Sequence, residues 1–260
     1  MAPPAHALGM SDAVLLEMVG DGVACLTLNR PAALNALNRA MAEGFEAALG
    51  RLATLAEARV VLVEGRGRAF CAGNDIAEME HLTAADAEAL SRRWAAIMDR
   101  FAALPQVTMA VIDGHALGGG LMLAVAQDLR IASDRARFGL PEVTLGFNPA
   151  YGIARFLDVA GGSHGRDLLL TGRSLHATEA LRMGLVNRVV AAPTLGEMAR
   201  AWATDIARSP REGLAATKDI VAGIRAARPA REPEAYGAAL RTGAAARERI
   251  RAFVERKRAR

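Results

Sequence analysis

An α/β fold is predicted, and three features of the sequence predict it. Apolar runs of strand length alternate with helix-length amphipathic patterns as far as about Val190. Two of those runs, residues 60–63 and 107–112, lead into glycine-rich stretches rather than ordinary loops. Beyond Pro193 the pattern is helical only. A chain of 260 residues that is 52% hydrophobic can bury one large core, or a core with a small appendage.

Taken in order, residues 14–19 and 23–28 read as short strands across the turn Gly20-Asp21-Gly22. Residues 38–52 form an amphipathic helix with Asn38 as its cap. After the strand at 60–63, Thr83 and Asp86 make a capping-box-like start to a helix that runs to about Ala103. The strand at 107–112 comes next. Gly118-Gly119-Gly120 then open a helix marked by Leu121, Met122, Leu123, Val125 and Ala126. Residues 128–132 and 137–138 are further short strands. Pro210, and then Pro229 with Pro233, divide the last part into helices at 195–207, 211–227 and 234–258.

Composition narrows the function. The net charge of +4 comes mostly from arginine clustered at 241–260. Aromatic residues are only 4% of the chain and no nucleic-acid recognition motif is present, so a small polyanion or a solvated helix face explains the charge better than nucleic acid. No run of eighteen apolar residues exists, so no membrane span is expected. Residues 1–11 lack the basic start and apolar centre of a signal peptide. The two cysteines, Cys25 and Cys71, have no metal-ligand spacing, and a reduced, cytoplasmic setting is expected. Cys71 is either a nucleophile or a small packed residue beside a turn.

The glycine stretches carry the chemistry. Glycines at a helix start leave backbone N–H groups open to a ligand, with the helix dipole behind them. Such a place suits an anionic oxygen, of a phosphate or of an enolate. The two segments Gly65-Arg66-Gly67-Arg68-Ala69-Phe70-Cys71-Ala72-Gly73-Asn74-Asp75-Ile76 and Gly114-His115-Ala116-Leu117-Gly118-Gly119-Gly120 together resemble the enoyl-CoA hydratase/isomerase (crotonase) superfamily. The resemblance takes in residues 28–37, Phe138-Gly139-Leu140-Pro141-Glu142, Leu170-Thr171-Gly172 and residues 252–257, and so covers nearly the whole chain.

The resemblance implies a crotonase-like spiral of repeated ββα units over residues 1–195. A C-terminal helical region, 196–260, would build a homotrimer or a hexamer. The three-fold recurrence of strand pair plus helix fits that spiral. The implied substrate is an acyl-CoA thioester, with coenzyme A part of the substrate and no separate cofactor or metal. Its carbonyl oxygen would be held by the backbone N–H groups of Asn74 and Gly119 as an enolate forms. Glu142 matches a catalytic glutamate of the family's hydratases; in an apolar pocket its pKa would be raised. Its alternative is an ordinary helix-start or surface residue. Substrate contacts are implied for Ala32, Ala33, Leu34, Ala72, Asp75, Ile76, Met122, Tyr151 and Phe253.

Departures from the family pattern choose among reactions. The second hydratase glutamate falls on Met122, which has no exchangeable proton. A 1,3-proton shift needs only one carboxylate, so isomerisation of 3-enoyl-CoA to 2-enoyl-CoA is favoured. Hydration of 2-enoyl-CoA is the alternative, and a non-catalytic acyl-CoA-binding protein a further one. Ala150 stands where dienoyl-CoA isomerases carry aspartate. Ala32 and Ala77 replace lysines that many relatives present to the CoA phosphates, leaving that task to arginines such as Arg30 or the basic tail. Tyr151 either offers its phenol to substrate or packs as an aromatic, and His115 is a substrate contact or a strand-end residue satisfied by backbone. Gly161-Gly162-Ser163-His164-Gly165 matches a hydrolase pattern formally, but helical context around it makes Ser163 a helix cap instead. The glycine triplet lacks the third glycine of a dinucleotide loop.

Overall fold

A computed structural model describes residues 6–7, 11–226 and 242–258. The centre of the fold is a run of strands buried on both faces. β1 (His6–Ala7) and β2 (Val14–Gly20) pair antiparallel, and β2 pairs antiparallel with β3 (Val23–Leu28). From β3 onward the sheet is parallel: β4 (Val60–Gly65), β6 (Val107–Ile112), β8 (Leu129–Ser133) and β11 (Arg188–Val190). The order is β1-β2-β3-β4-β6-β8-β11. β3 is buried at every position and β4 at its first four, so continuous apolar runs, not alternating ones, mark these strands.

A second sheet of four short strands has the order β10-β9-β7-β5. Its members are β5 (Ala69–Cys71), β7 (His115–Leu117), β9 (Arg137–Gly139) and β10 (Ser174–His176). The chain therefore repeats one move: a strand in the large sheet, a corner, a strand in the small sheet, then a helix. β4-β5, β6-β7 and β8-β9 are three turns of that spiral. Each corner brings backbone against backbone. At Gly114 (φ +64) an added Cβ would collide with the carbonyl oxygen of Arg68, and at Gly65 with that of Phe70. Space alone demands glycine at Gly65, and both space and dihedral demand it at Gly114.

Helices close the layers. α1 (Arg39–Thr54) starts at Asn38, whose side chain accepts from Met41 N, and buries Met41, Phe45, Ala48, Leu49 and Leu52. α2 is the single turn Ile76–Met79, and α3 (Ala84–Ala103) begins at Thr83, which accepts from Asp86 N. α3 packs on α1 through an edge-to-face cluster of Phe45 with Trp94 and Phe101. α4 (Gly119–Val125) is buried at every residue. α5 (Ile153–Ala160), α6 (Gly162–Thr171) and α7 (Ala177–Arg182) follow. α8 (Leu195–Ala207) places Leu195, Ala199, Ala203 and Ala207 on the outer face of the large sheet. α9 (Arg211–Ala226) is pinned by the buried Lys218, whose Nζ donates to Gln106 O at 2.7 Å and pairs with Asp128 at 2.8 Å. α10 (Ala244–Arg258) sets Ile250 against Phe147, near Ile76, Met79 and Leu145.

The α/β layering, the ββα recurrence and the Asn38 and Thr83 caps agree with the sequence reading. The short strands β5, β7, β10 and β11 were not expected, because three residues carry no readable period. Ser163 does not cap a helix: α6 begins one residue earlier, at Gly162, with Gly161 in the cap position. Ser163 lies in the first turn of α6 and α5 precedes it, so the strand that the hydrolase pattern requires is not there. His115 begins β7 rather than ending a strand, and it is exposed. The first part of the helix expected at 234–258 lies outside the described residues.

Gly114→Ala should lower stability by at least about 2 kcal/mol, because a positive φ and a backbone collision coincide. Gly213→Ala, exposed on α9 with nothing within 4 Å of the new methyl, should be neutral or stabilising by up to about 1 kcal/mol. Thermal melts of the two variants beside the parent chain check this contrast.

Candidate active site

The first wall of the site is the loop after β3. Pro31–Ala33 form one 3-10 turn, after which Leu34 (φ 52) and Asn35 (φ 56) both hold left-handed backbone without being glycine. Each such residue costs about 1–3 kcal/mol unless its surroundings hold it there. Asn35 is fully buried and supplies the hold. Its Oδ1 accepts from Arg30 N at 2.9 Å, and its Nδ2 donates to Arg66 O at 3.0 Å and to Ala69 O at 2.8 Å. Residues 34–37 are thereby laid beside residues 72–75: Ala72 N donates to Leu34 O, Leu37 N to Gly73 O and Asp75 N to Leu37 O. Leu37 and Asn74 form a parallel bridge in which Leu37 takes both neighbours of Asn74. The N–H of Asn74 therefore faces away from Leu37.

The second wall is the start of α4. Gly118 N donates to Gly139 O at 2.9 Å, which ties the turn to β9, and the first helical bond runs from Met122 N to Gly118 O. Gly119, the first residue of α4, has one of the N–H groups that a helix start leaves without an internal acceptor. Four glycines let the two walls touch. An added Cβ at Gly120 would fall on the Cys71 carbonyl, and one at Gly73 (φ +97) would lie 2.8 Å from Leu117 O and 3.5 Å from Gly119 N. One at Gly119 would fall on the Tyr151 hydroxyl, 2.6 Å from Asn74 Oδ1. One at Gly118 (φ +52) would lie 2.8 Å from Glu142 Oε1. The carboxylate of Glu142 thus rests on the bare backbone of Gly118, beside the amide of Gly119.

Glu142 gets there through a 3-10 turn, Pro141–Leu145, which starts on proline and ends on Gly146 (φ +87). Phe147 N returns to Glu142 O at 3.2 Å. The following residues, Phe147, Asn148, Pro149, Ala150 and Tyr151, bend over the two walls and complete a cavity with Asn74, Gly119, Met122 and Glu142. The centre of a water-sized sphere can move through about 10 Å³ of it, roughly the room of one water. Tyr151 donates its hydroxyl to Asn74 Oδ1 at 2.5 Å. Met122 is 1% exposed, and an added Cβ at Gly152 would lie 3.0 Å from its sulfur.

Against this arrangement, a model of the enoyl-CoA hydratase/isomerase family matches residues 19–260. The chain belongs to the enoyl-CoA hydratase/isomerase family. It is 42% identical over 200 residues to a probable enoyl-CoA hydratase, echA8, of Mycobacterium bovis, covering 76% of this chain and 77% of that one. Among solved structures, an enoyl-CoA hydratase from Mycobacterium avium superposes with a TM-score of 0.84 at 30% identity, over 95% of this chain and 98% of the other. An enoyl-CoA hydratase/carnithine racemase from Magnetospirillum magneticum does so with a TM-score of 0.80 at 33% identity, over 86% and 85%. The protein is an enzyme of the hydratase/isomerase family, with the crotonase fold.

The residues expected for an enoyl-CoA site are brought together unevenly. Asn74, Gly119, Glu142, Met122, Ala150 and Tyr151 line one cavity. Leu34 lies beside Ala72, and Asp75 beside Leu37, through the 34–37 and 72–75 pairing; Ala32 and Ala33 sit in the preceding turn and Ile76 begins α2, all outside that lining. Phe253 sits half-buried on α10, which packs over α2 and the 141–145 turn, and it is likewise outside the lining. Arg30 is not a free phosphate ligand. Both of its terminal nitrogens bond Asp75 Oδ2, at 3.1 and 3.0 Å, and one also donates to Ala36 O at 2.6 Å, so it braces the loop. Cys71 is a packed residue rather than a nucleophile: burial pushes its thiol up to about 12, and it donates to Asn35 O at 3.1 Å.

Sequence reasoning missed Asn35 as the loop's anchor and Phe147, Asn148 and Pro149 as cavity wall. Asn35 lay inside a quoted motif, but only tertiary contacts reveal its three buried partners. Asn35→Ala should cost at least about 3 kcal/mol, since it strands a buried N–H and two carbonyls and leaves the left-handed backbone unsupported. A urea titration checks the loss, and acyl-CoA affinity should fall with it.

Proposed function

We propose that this enzyme moves a double bond, converting 3-enoyl-CoA to 2-enoyl-CoA. The observation that supports it is that Glu142 is the one carboxylate among the nine described residues lining the cavity, while Met122 offers a thioether at the position that the resemblance aligns with the hydratases' second glutamate. In this reading the Glu142 carboxylate takes a proton from C2 of the bound thioester. The electron pair moves onto the thioester oxygen, which the N–H groups of Asn74 and Gly119 receive. The same carboxyl group then returns the proton at C4, so nothing is gained or lost overall. Fixed donors of this kind are worth about 2.7–4 kcal/mol of barrier each. Coenzyme A takes part as the substrate's carrier, and no separate cofactor enters.

Hydration of 2-enoyl-CoA is the second reading, favoured by the names of relatives such as the probable enoyl-CoA hydratase of M. bovis. It needs a second group to activate water, and a methionine cannot. Purified chain given 3-enoyl-CoA should produce the absorbance of a conjugated enoyl thioester. If it instead consumes 2-enoyl-CoA with 3-hydroxyacyl-CoA as the main product, the isomerase reading is wrong.

Glu142→Gln should lower turnover by about a hundred- to ten-thousandfold while saturated acyl-CoA affinity holds, measured by rates beside calorimetric titration. Met122→Glu, of similar side-chain length, should raise the rate of hydration of 2-enoyl-CoA by about tenfold or more, read by product chromatography.

A further inference from the structure

Tyr151 is a side chain that the one-carboxylate mechanism does not use, yet its hydroxyl stands closest to the front of Gly119. A Cβ there would land on the phenol oxygen. The ring is 2% exposed and belongs to the main core cluster, held between Ala150 and Gly152, whose φ of +78 sets the start of α5. Packing alone would be served by a phenylalanine. A buried hydroxyl must instead be supplied with partners, and this one donates to Asn74 Oδ1 at 2.5 Å. That acceptor belongs to the residue whose own amide is one of the two expected oxyanion donors. It also lies 2.6 Å from the same point in front of Gly119. Phenol, Asn74 and the Gly119 backbone therefore converge on one small volume, and Tyr151 borders the cavity that holds it.

We propose that Tyr151 is a further catalytic residue, a third hydrogen-bond donor to the thioester oxygen as it becomes an enolate. This rests on the reading that an enolate forms in this cavity. Asn74 Oδ1 accepts the hydroxyl hydrogen beside Gly119. When the thioester oxygen arrives, rotation about the phenol C–O bond turns that hydrogen to it, one acceptor replacing another. The bond strengthens as charge grows on the oxygen, because hydrogen bonds to charged acceptors are about twice as strong as neutral ones. The phenol keeps its proton throughout: it donates a hydrogen bond to the charged oxygen and does not transfer the proton. Glu142 remains the only group that takes a proton from carbon.

The test uses the full chain, two probes and Tyr151→Phe, which keeps the ring and removes only the hydroxyl. Butyryl-CoA is saturated and stays a neutral thioester. Acetoacetyl-CoA forms its enolate readily, so the bound enolate is read by its ultraviolet band without any double-bond shift. Tyr151→Phe should leave butyryl-CoA affinity and the melting temperature nearly unchanged. It should weaken the enolate complex of acetoacetyl-CoA by tenfold or more, and turnover should fall by about a hundredfold with little change in KM. Replacing tyrosine by the more acidic 3-fluorotyrosine should move the enolate complex the opposite way, toward tighter binding. Equal losses for both probes would reduce Tyr151 to packing and overturn the proposal; so would an unchanged enolate complex in Tyr151→Phe, or a parent chain that binds acetoacetyl-CoA without forming the enolate. A parent chain that turns over neither enoyl-CoA, yet loses the enolate complex on Tyr151→Phe, would sink the isomerase reading and leave this one standing.

Discussion

Everything at the site depends on two stretches of backbone lying closer together than side chains allow. The strand end at residues 71–74 and the helix start at 118–120 touch through Gly73, Gly119 and Gly120, and Gly118 makes room for Glu142, at points where any Cβ would strike a carbonyl or a functional side chain. This contact brings Asn74 and Gly119 to the lining of one cavity. It also admits the carboxylate of Glu142 and the hydroxyl of Tyr151 to that cavity, because the helix start presents no side chains to hold them off. Backbone donors cannot be swapped by point mutation, so in the proposed reaction geometry secures the oxyanion site and the chemistry is left to the groups around it.

The spiral explains why such a contact can be rigid. Each turn carries a strand of the large parallel sheet into the small sheet across a tight corner, built on glycine in the first two turns, and the large sheet is buried on both faces, by the main core on one side and by α8 on the other. Short strands such as β5 and β7 would be marginal alone; anchored to each other and to the larger sheet, they deliver residues 71–74 and 118–120 at fixed depth. Asn35 performs the remaining task, holding two strained residues so that the 34–37 segment can lie along 72–75. Arg30 and Asp75 lock the same loop from outside. Polar groups thus spend their hydrogen bonds on the backbone of the site rather than on the substrate.

What the family's members share is therefore the hole, and what separates them is what borders it. In this chain the border carries one carboxylate, a thioether at 122, an alanine at 150 and a phenol at 151. Met122 and Gly152 pack against each other, so the position that could hold a second acid is filled by an apolar contact. The proposed isomerisation accordingly runs through Glu142 and through hydrogen bonds.

Much was legible in the sequence, for a physical reason. Parallel strands buried on both faces must be continuous apolar runs, helices must show their period and their caps, and a backbone-to-backbone contact must be glycine; each requirement leaves residues that can be read one by one. Gly73, Gly118, Gly119 and Gly120 announced the site in this way, and Asn38 and Thr83 announced their helices. Of the three-residue strands β9 was legible, but β5, β7, β10 and β11 leave no such trace, since pairing rather than side-chain choice defines them. Only the tertiary structure could decide what meets across the chain. It turned Arg30 from a phosphate ligand into a brace, made Asn35 the keystone of a strained loop, and set the hydroxyl of Tyr151 beside Asn74, seventy-seven residues away. Contacts of that kind depend on where several elements converge, and no local stretch of sequence contains that information.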